Sequence, residues 1–364
     1  MRVLMLTRRV DKDDSRAGFA HAWIERLARH ERIDRLDVIC LERGWVDLPP
    51  GVRVASMGKE RGYSRPRELW EFWRALAPVS RDADVVFGHM IPRYTLAAAP
   101  WILARRLPVV QWYTHRQVTL ELRLVHALAA RIVTASPESF TLPSRKVTVL
   151  GHGIDMARFR PSENAPGGER LIIAVGRLSP IKNYETLIQA TARLAARPGC
   201  QDVQVVIAGG APPPHGHVYR EQLRALASEQ GVSERLTFLG PLPYQDIHTL
   251  YQLAAVSVNL CPTGGMDKAV LESMASAVPV VVHNRTFVPL LAGDADRLWC
   301  AELDPEQIAD RLAALLAQPP ESRRALGERL RERVRLEYDL DGLIDRLVAV
   351  FAEVAGAGRG VSSR

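Results

Sequence analysis

No stretch of this 364-residue sequence stays apolar for the eighteen or so residues that a bilayer-spanning helix requires. Cysteine is scarce. Cys40, Cys200, Cys261 and Cys300 are scattered and form no C-x-x-C pair, which argues against a disulfide framework or a cysteine-held metal and for a reduced, cytoplasmic setting. The opening residues MRVLMLTRRVDKDD hold a short apolar run, but charges follow at once and no small-residue cleavage site does, so they read as a strand rather than a secretory signal. No G-x-G-x-x-G follows an apolar run, which excludes a dinucleotide dehydrogenase. Helix-turn-helix, zinc-finger and RNP patterns are missing too, and the basic residues are dispersed, so nucleic acid is not an expected partner. Asp-x-Asp recurs at 82–84, 294–296 and 339–341 as well as near the start, at 11–13, and a pattern so common does not mark a metal site.

What is present is a globular composition, 47% apolar and 24% charged, in a chain long enough for two domains. The net charge of +7 is uneven: residues 1–158 carry 26 Lys and Arg against 17 Asp and Glu, the remainder 22 against 24. A basic front half suits an anionic partner, such as a phosphate-bearing acceptor or a membrane surface, although an Arg-rich composition alone would give the same count. Short β-branched runs fall at 3–7, 36–41, 52–56, 85–88, 109–113, 132–135 and 147–150, then at 171–175, 203–208, 236–239, 256–260, 279–283 and 298–300. They do not alternate strictly, as expected of strands buried on both faces. Helical stretches such as 17–30, 183–196, 221–230 and 306–316 lie between them. Repeated strand–helix–strand order predicts an α/β protein with two doubly wound sheets. Composition puts a linker near 154–170, helix beyond 316 through 355, and disorder in the last nine residues. The expected domains are 1–158 and 159–337, a helix at 338–355 returning to the first domain, and a tail at 356–364.

Two such sheets would bring their carboxyl ends to a shared cleft, where open α/β sheets bind ligands. In LIIAVGRLSPIKNYETLIQA (171–190) a strand ends at Gly176, with Arg177 following and Lys182 just before a helix. A planar fork and a flexible point charge suit a diphosphate; two solvated loop cations are the plainer alternative. In CPTGGMDKAVLESMASAVPVVV (261–282) a glycine-rich turn opens a short helix, whose free N–H groups fit a sugar diphosphate. Glu272 on that helix could take two ribose hydroxyls, or form an i,i+4 pair with Lys268.

Residues 171–283 resemble the donor-binding domain of family 4 glycosyltransferases, retaining enzymes of the GT-B fold. The segments that carry the likeness are GRLSPIKNYETLIQA, then YREQLRALASEQGVSERLTFLGPLPYQDIHTLYQLAAVSVNL, then DKAVLESMASAVPVVV. The resemblance implies a nucleotide diphosphate sugar as donor, a hydroxyl acceptor and no separate cofactor. It gives the diphosphate to Arg177 and Lys182, with Gly18 in the loop after the first strand, and the ribose to Glu272. It gives the transferred sugar to the turn of Gly264, Gly265, Met266 and Lys268. The family's first Glu of E-x7-E falls at 264, where this chain has Gly264; Asp267 is the candidate replacement. His115, expected to end the fifth strand, corresponds to a family His that contacts the transferred sugar, and His89 at the end of the fourth points the same way. No metal site is expected.

In GKERGYSRPRELWEFWRALAP (58–78) four cations precede a helix bearing Trp70 and Trp73. Either both rings pack into the first domain, or the segment lies on an anionic membrane carrying a lipid-linked acceptor. A non-catalytic nucleotide-sugar sensor and a nucleotide-sugar epimerase are the alternative functions.

Overall fold

The computed structural model describes residues 1–14, 18–162, 170–211, 216–262 and 265–361. The chain divides into two compact units, one of Met1–Gly153 with Leu340–Arg364, the other of Ile154–Asp339. The chain therefore crosses between units twice. At the crossings Ile154 bridges Asp339, and the Ile154 N–H donates to the Tyr338 carbonyl at 2.7 Å. This boundary falls at the front of the expected linker, of which residues 163–169 lie outside the described part.

The first unit is built on seven parallel strands: β1 (Arg2–Val10), β2 (Arg35–Arg43), β3 (Val52–Ser56), β4 (Val85–His89), β5 (Val109–Trp112), β6 (Arg131–Thr134) and β7 (Val147–Val149). Their order is β3-β2-β1-β4-β5-β6-β7. Alternate residues of β1 go to opposite faces: Val3 and Met5 join a core with Trp23, Leu343 and Phe351, while Leu4 and Leu6 join one with Phe72, Tyr94 and Ile102. Both faces are thus covered, as non-alternating apolar strands require. The helix Leu340–Val361 lays Leu343, Leu347, Phe351 and Val354 on the first of these cores. It runs six residues past Ala355, through the segment expected to be disordered. Once its apolar stripe is anchored, each added residue contributes a backbone hydrogen bond at little nucleation cost.

The second unit holds five parallel strands, β8 (Leu171–Val175), β9 (Gln204–Ala208), β10 (Leu236–Gly240), β11 (Val256–Asn259) and β12 (Val280–Val282), ordered β10-β9-β8-β11-β12. Ile172 pairs with Val205 on one side and Val256 on the other. The order reverses between β8 and β11. That is the switch point outside which doubly wound sheets bind ligands. The apolar run at 298–300 is not a strand. Leu298 ends a short helix, Ala295–Leu298, which leaves Trp299 to make an isolated bridge to Val282.

Candidate functional site

At the carboxyl end of β8 the chain turns through Gly176 and Arg177 into a single 3₁₀ turn, Pro180–Lys182, and then the helix Tyr184–Ala195. Asn183 links the two in a left-handed conformation, φ 51°, and its amide donates to the Leu260 carbonyl at 2.9 Å. The Tyr184 hydroxyl donates to the Gly176 carbonyl at 2.9 Å. Both bonds pin the turn beneath the switch point. Gly209 lets β9 approach it: a Cβ there would sit 1.8 Å from the Gly176 oxygen, so only glycine fits. The pair Gly209-Gly210 thus serves strand packing, with Leu178 N–H donating to the Gly210 carbonyl at 3.0 Å.

Across the switch point, β11 ends at Asn259 and the helix Lys268–Ala275 begins with Asp267 as its N-cap. Asp267 Oδ1 accepts from the Ala269 N–H at 3.3 Å, and Oδ2 accepts from the Asn259 amide at 3.0 Å. The same Oδ2 is ion-paired with Lys182 Nζ. Lys182 folds back over the strand end, its Cε 3.2 Å from where a Gly176 Cβ would lie. Burial alone would raise the Asp267 carboxyl; Lys182, Asn259 and the Ala269 N–H outweigh it and hold the group below the usual carboxylate range.

The structure therefore joins two residues that sequence reading had given separate ligands. Lys182 was placed on the diphosphate and Asp267 on the sugar; here each is the other's partner. Arg177 is exposed and, among the described residues, is recorded in no ion pair. Met266 is buried and Gly265 half-buried, the latter's carbonyl accepting from Asn284 at 3.4 Å. Gly264 lies outside the described residues.

Glu272 is buried one turn into the helix, 4% exposed. Burial raises its carboxyl and Lys268 opposes that rise; the same burial lowers the Lys268 ammonium, with Glu272 opposing. Lys268 and Glu272 thus influence each other along one helix face. Tyr244, in the loop after β10, lies near enough to act on the Glu272 carboxyl electrostatically, and sequence reading missed it. Asn259 was missed as well; a polar residue closing an otherwise apolar strand was the available signal.

Gly18 and His115 belong to the first unit. Gly18 opens the helix Gly18–Arg29, its N–H donating to the Asp14 carbonyl at 2.9 Å. His115 is exposed three residues beyond the end of β5, since the strand stops at Trp112, and its ring lies 5.5 Å from that of Tyr113. His89 is the last residue of β4 and is buried among Trp23, Phe19 and Phe87, with Nδ1 3.0 Å from Thr7 Oγ1. It packs as a core residue. Among the described residues no three His, Cys, Asp or Glu side chains gather as a metal site would need.

The second unit thus sets a cation, a capped helix N-terminus and a buried carboxylate around one switch point, an arrangement suited to an anionic ligand bearing hydroxyls. The chain is 29% identical over 242 residues to a D-inositol 3-phosphate glycosyltransferase of Saccharomonospora viridis, which covers 64% of this chain and 54% of that protein. A protein of the same name from Corynebacterium jeikeium is 25% identical, covering 86% of each. The matches to the Saccharomonospora protein and to a Nocardia farcinica relative span only 54% and 59% of those proteins. Among solved structures, Anabaena HepE in complex with UDP and glucose superposes with a TM-score of 0.75 at 15% identity, over 97% of this chain and all of that one. The sucrose-phosphate synthase of Thermosynechococcus elongatus gives 0.74 at 17% identity, over 98% of this chain and all of that one. The fold is therefore GT-B. The family model for glycosyl transferases group 1 matches residues 155–333, nearly the whole of the second unit.

Proposed function

We propose that the protein is a retaining glycosyltransferase that moves a sugar from a nucleoside diphosphate to an acceptor hydroxyl without a metal ion. The observation that carries this reading is the convergence of Lys182, the Asp267-capped helix and buried Glu272 at the switch point of the second sheet. Arg177 and Lys182 take the diphosphate, Glu272 the ribose, and Gly264, Gly265, Met266 and Lys268 the sugar. The acceptor oxygen bonds to the anomeric carbon on the face from which the phosphate oxygen departs. The acceptor proton passes to that oxygen, so glycoside and nucleoside diphosphate are the products. Cations and helix N–H groups oppose the negative charge that builds on the leaving group. HepE, solved with UDP, supports a nucleotide-sugar donor. The relatives named for D-inositol 3-phosphate support a phosphate-bearing acceptor, as does the basic front half.

A lipid-linked acceptor at the inner membrane face fits a further observation. Trp70 is 56% exposed and Leu103 is 65% exposed, while Trp73, 38% exposed, donates its indole N–H to the Ala97 carbonyl. Among the described residues no helix is long and apolar enough to cross a membrane.

The test incubates dialysed enzyme with UDP-, GDP- and ADP-sugars, with and without excess chelator, against water-soluble and vesicle-borne acceptors. Release of nucleoside diphosphate that persists in chelator and yields an α-linked product from an α-linked donor is the expected result. Binding of a nucleotide sugar without turnover on any acceptor or water would favour the sensor reading. Failure to sediment with anionic vesicles at low salt would remove the membrane reading.

A further inference from the structure

Asn259 closes β11 with its amide held in one orientation. Its Oδ1 accepts from the Cys261 N–H at 3.2 Å, so the NH2 faces Asp267 and donates to Oδ2 at 3.0 Å. The Ala269 N–H and the Lys182 ammonium complete a set of three donors around this one carboxylate. Donors so gathered suit an anion, and the chain supplies its own. The helix that carries it is anchored as well, since the Tyr251 hydroxyl donates to the Ala269 carbonyl at 2.8 Å. Lys182 is equally committed. Its stem lies against the end of β8, with Cε 3.2 Å and Nζ 3.5 Å from the place a Gly176 Cβ would take, and its ammonium is ion-paired with Asp267 Oδ2. Arg177, by contrast, is exposed and forms no ion pair among the described residues. Of the two cations given to the diphosphate, one stands open and the other is already matched.

We propose that Asp267 is an internal counter-ion that competes with the donor diphosphate for Lys182 and thereby sets how tightly the nucleotide is held. The inference rests on the diphosphate reading of Lys182 given above. A phosphate oxygen that takes a proton of the ammonium must either draw Lys182 from Asp267 or share it with a second anion. Either way the existing pair offsets part of the attraction, and the affinity falls below that of an uncommitted lysine. The carboxylate stays in place, because Asn259 and the Ala269 N–H hold it without help from Lys182. It is the flexible lysine stem that turns between two anions. The nucleoside diphosphate left after transfer meets the same competition, which favours its release.

Calorimetric titration with whichever of UDP, GDP and ADP binds tightest reads the effect, on wild type, Asp267→Asn, Lys182→Met and the double variant. Asp267→Asn removes the competing charge and should tighten the diphosphate about tenfold, the scale of one charge-assisted contact. A defect of capping or packing would weaken binding instead, so the sign separates the two. Lys182→Met alone should weaken the diphosphate about tenfold or more, and in that background Asp267→Asn should add little. An affinity unchanged or lowered in Asp267→Asn, while Lys182→Met weakens binding, would overturn the competition and leave the diphosphate reading of Lys182 standing. A full gain from Asp267→Asn that persists without Lys182 would overturn it too, since the carboxylate would then act on the nucleotide directly. If Lys182→Met binds the diphosphate as wild type does, the diphosphate reading falls and the inference with it. Should Asp267→Asn not fold, Asp267→Ser takes its place with the same expectations, because it keeps an N-cap oxygen and sets no NH2 against Asn259.

Discussion

Replacing Lys182 by methionine keeps the length and apolar volume of the stem and removes only the ammonium. The ion pair it breaks is well covered, with side chains 13% and 23% exposed for Lys182 and Asp267. Breaking a buried pair costs about 3–5 kcal/mol, mainly through the charge left behind, and this partly open one belongs near 3. For a unit of this size that is a fall of roughly 6–12 °C in the midpoint of its transition. The loss should depend on pH in a definite sense. Asp267 is depressed in the native protein, so its contribution is present above its unfolded value and disappears as pH falls through the folded one. Without Lys182, burial dominates and the Asp267 pKa moves upward. The variant then carries an ionised, poorly compensated carboxylate at pH 7, and protonation relieves it on acidification. Melts at pH 7 and pH 4 should therefore show a destabilisation that shrinks toward the lower pH. Adding Asp267→Asn, which keeps one oxygen for the helix cap but places an NH2 against the Asn259 amide, should restore part of the stability, since it removes the stranded charge. Equal destabilisation at both pH values, or a double variant as weak as the sum of the singles, would refute the pairing as the source of the effect.

Two further outcomes follow from the same site. Arg177→Ala should leave the melting temperature nearly unchanged, because the side chain is exposed, yet lower turnover about a hundredfold, the scale for one preorganised charge contact; initial rates at saturating donor measure it. Gly209→Ala should destabilise the second unit by several kcal/mol, since the new methyl group would overlap the Gly176 carbonyl and force β8 and β9 apart, visible in urea unfolding.

Twelve of the thirteen apolar runs became strands because parallel strands buried on both faces declare themselves by composition. The thirteenth shows the limit of that signal. At 298–300 Leu298 and Cys300 are buried, but Leu298 belongs to a short helix and only an isolated bridge at Trp299 follows it. The tail was misread for a related reason: glycines at 356, 358 and 360 argue locally against helix, while the anchoring stripe from Leu343 to Val354 lies upstream and exerts its effect through tertiary contact. At the candidate site, spacing and the family resemblance singled out Lys182, Asp267 and Glu272. They could not show that Lys182 and Asp267, 85 positions apart, are partners, because that contact is made by the crossing order of the sheet.

The double crossing at Ile154 and Asp339 makes the second unit an insertion within the first. On the ribosome, residues 1–153 emerge without the helix that completes one of their two cores, and Leu343, Leu347, Phe351 and Val354 arrive only after the whole second unit has been made. The later-synthesised half has all of its strands before the earlier one has its full core, so it is free to fold first. Until the last helix docks, the face of β1 that carries Val3 and Met5 lacks part of its cover. Chain termination near Asp339 would therefore spare the apparent ligand site and yet leave the protein with an open apolar sheet face, a form that quality control would recognise as unfinished.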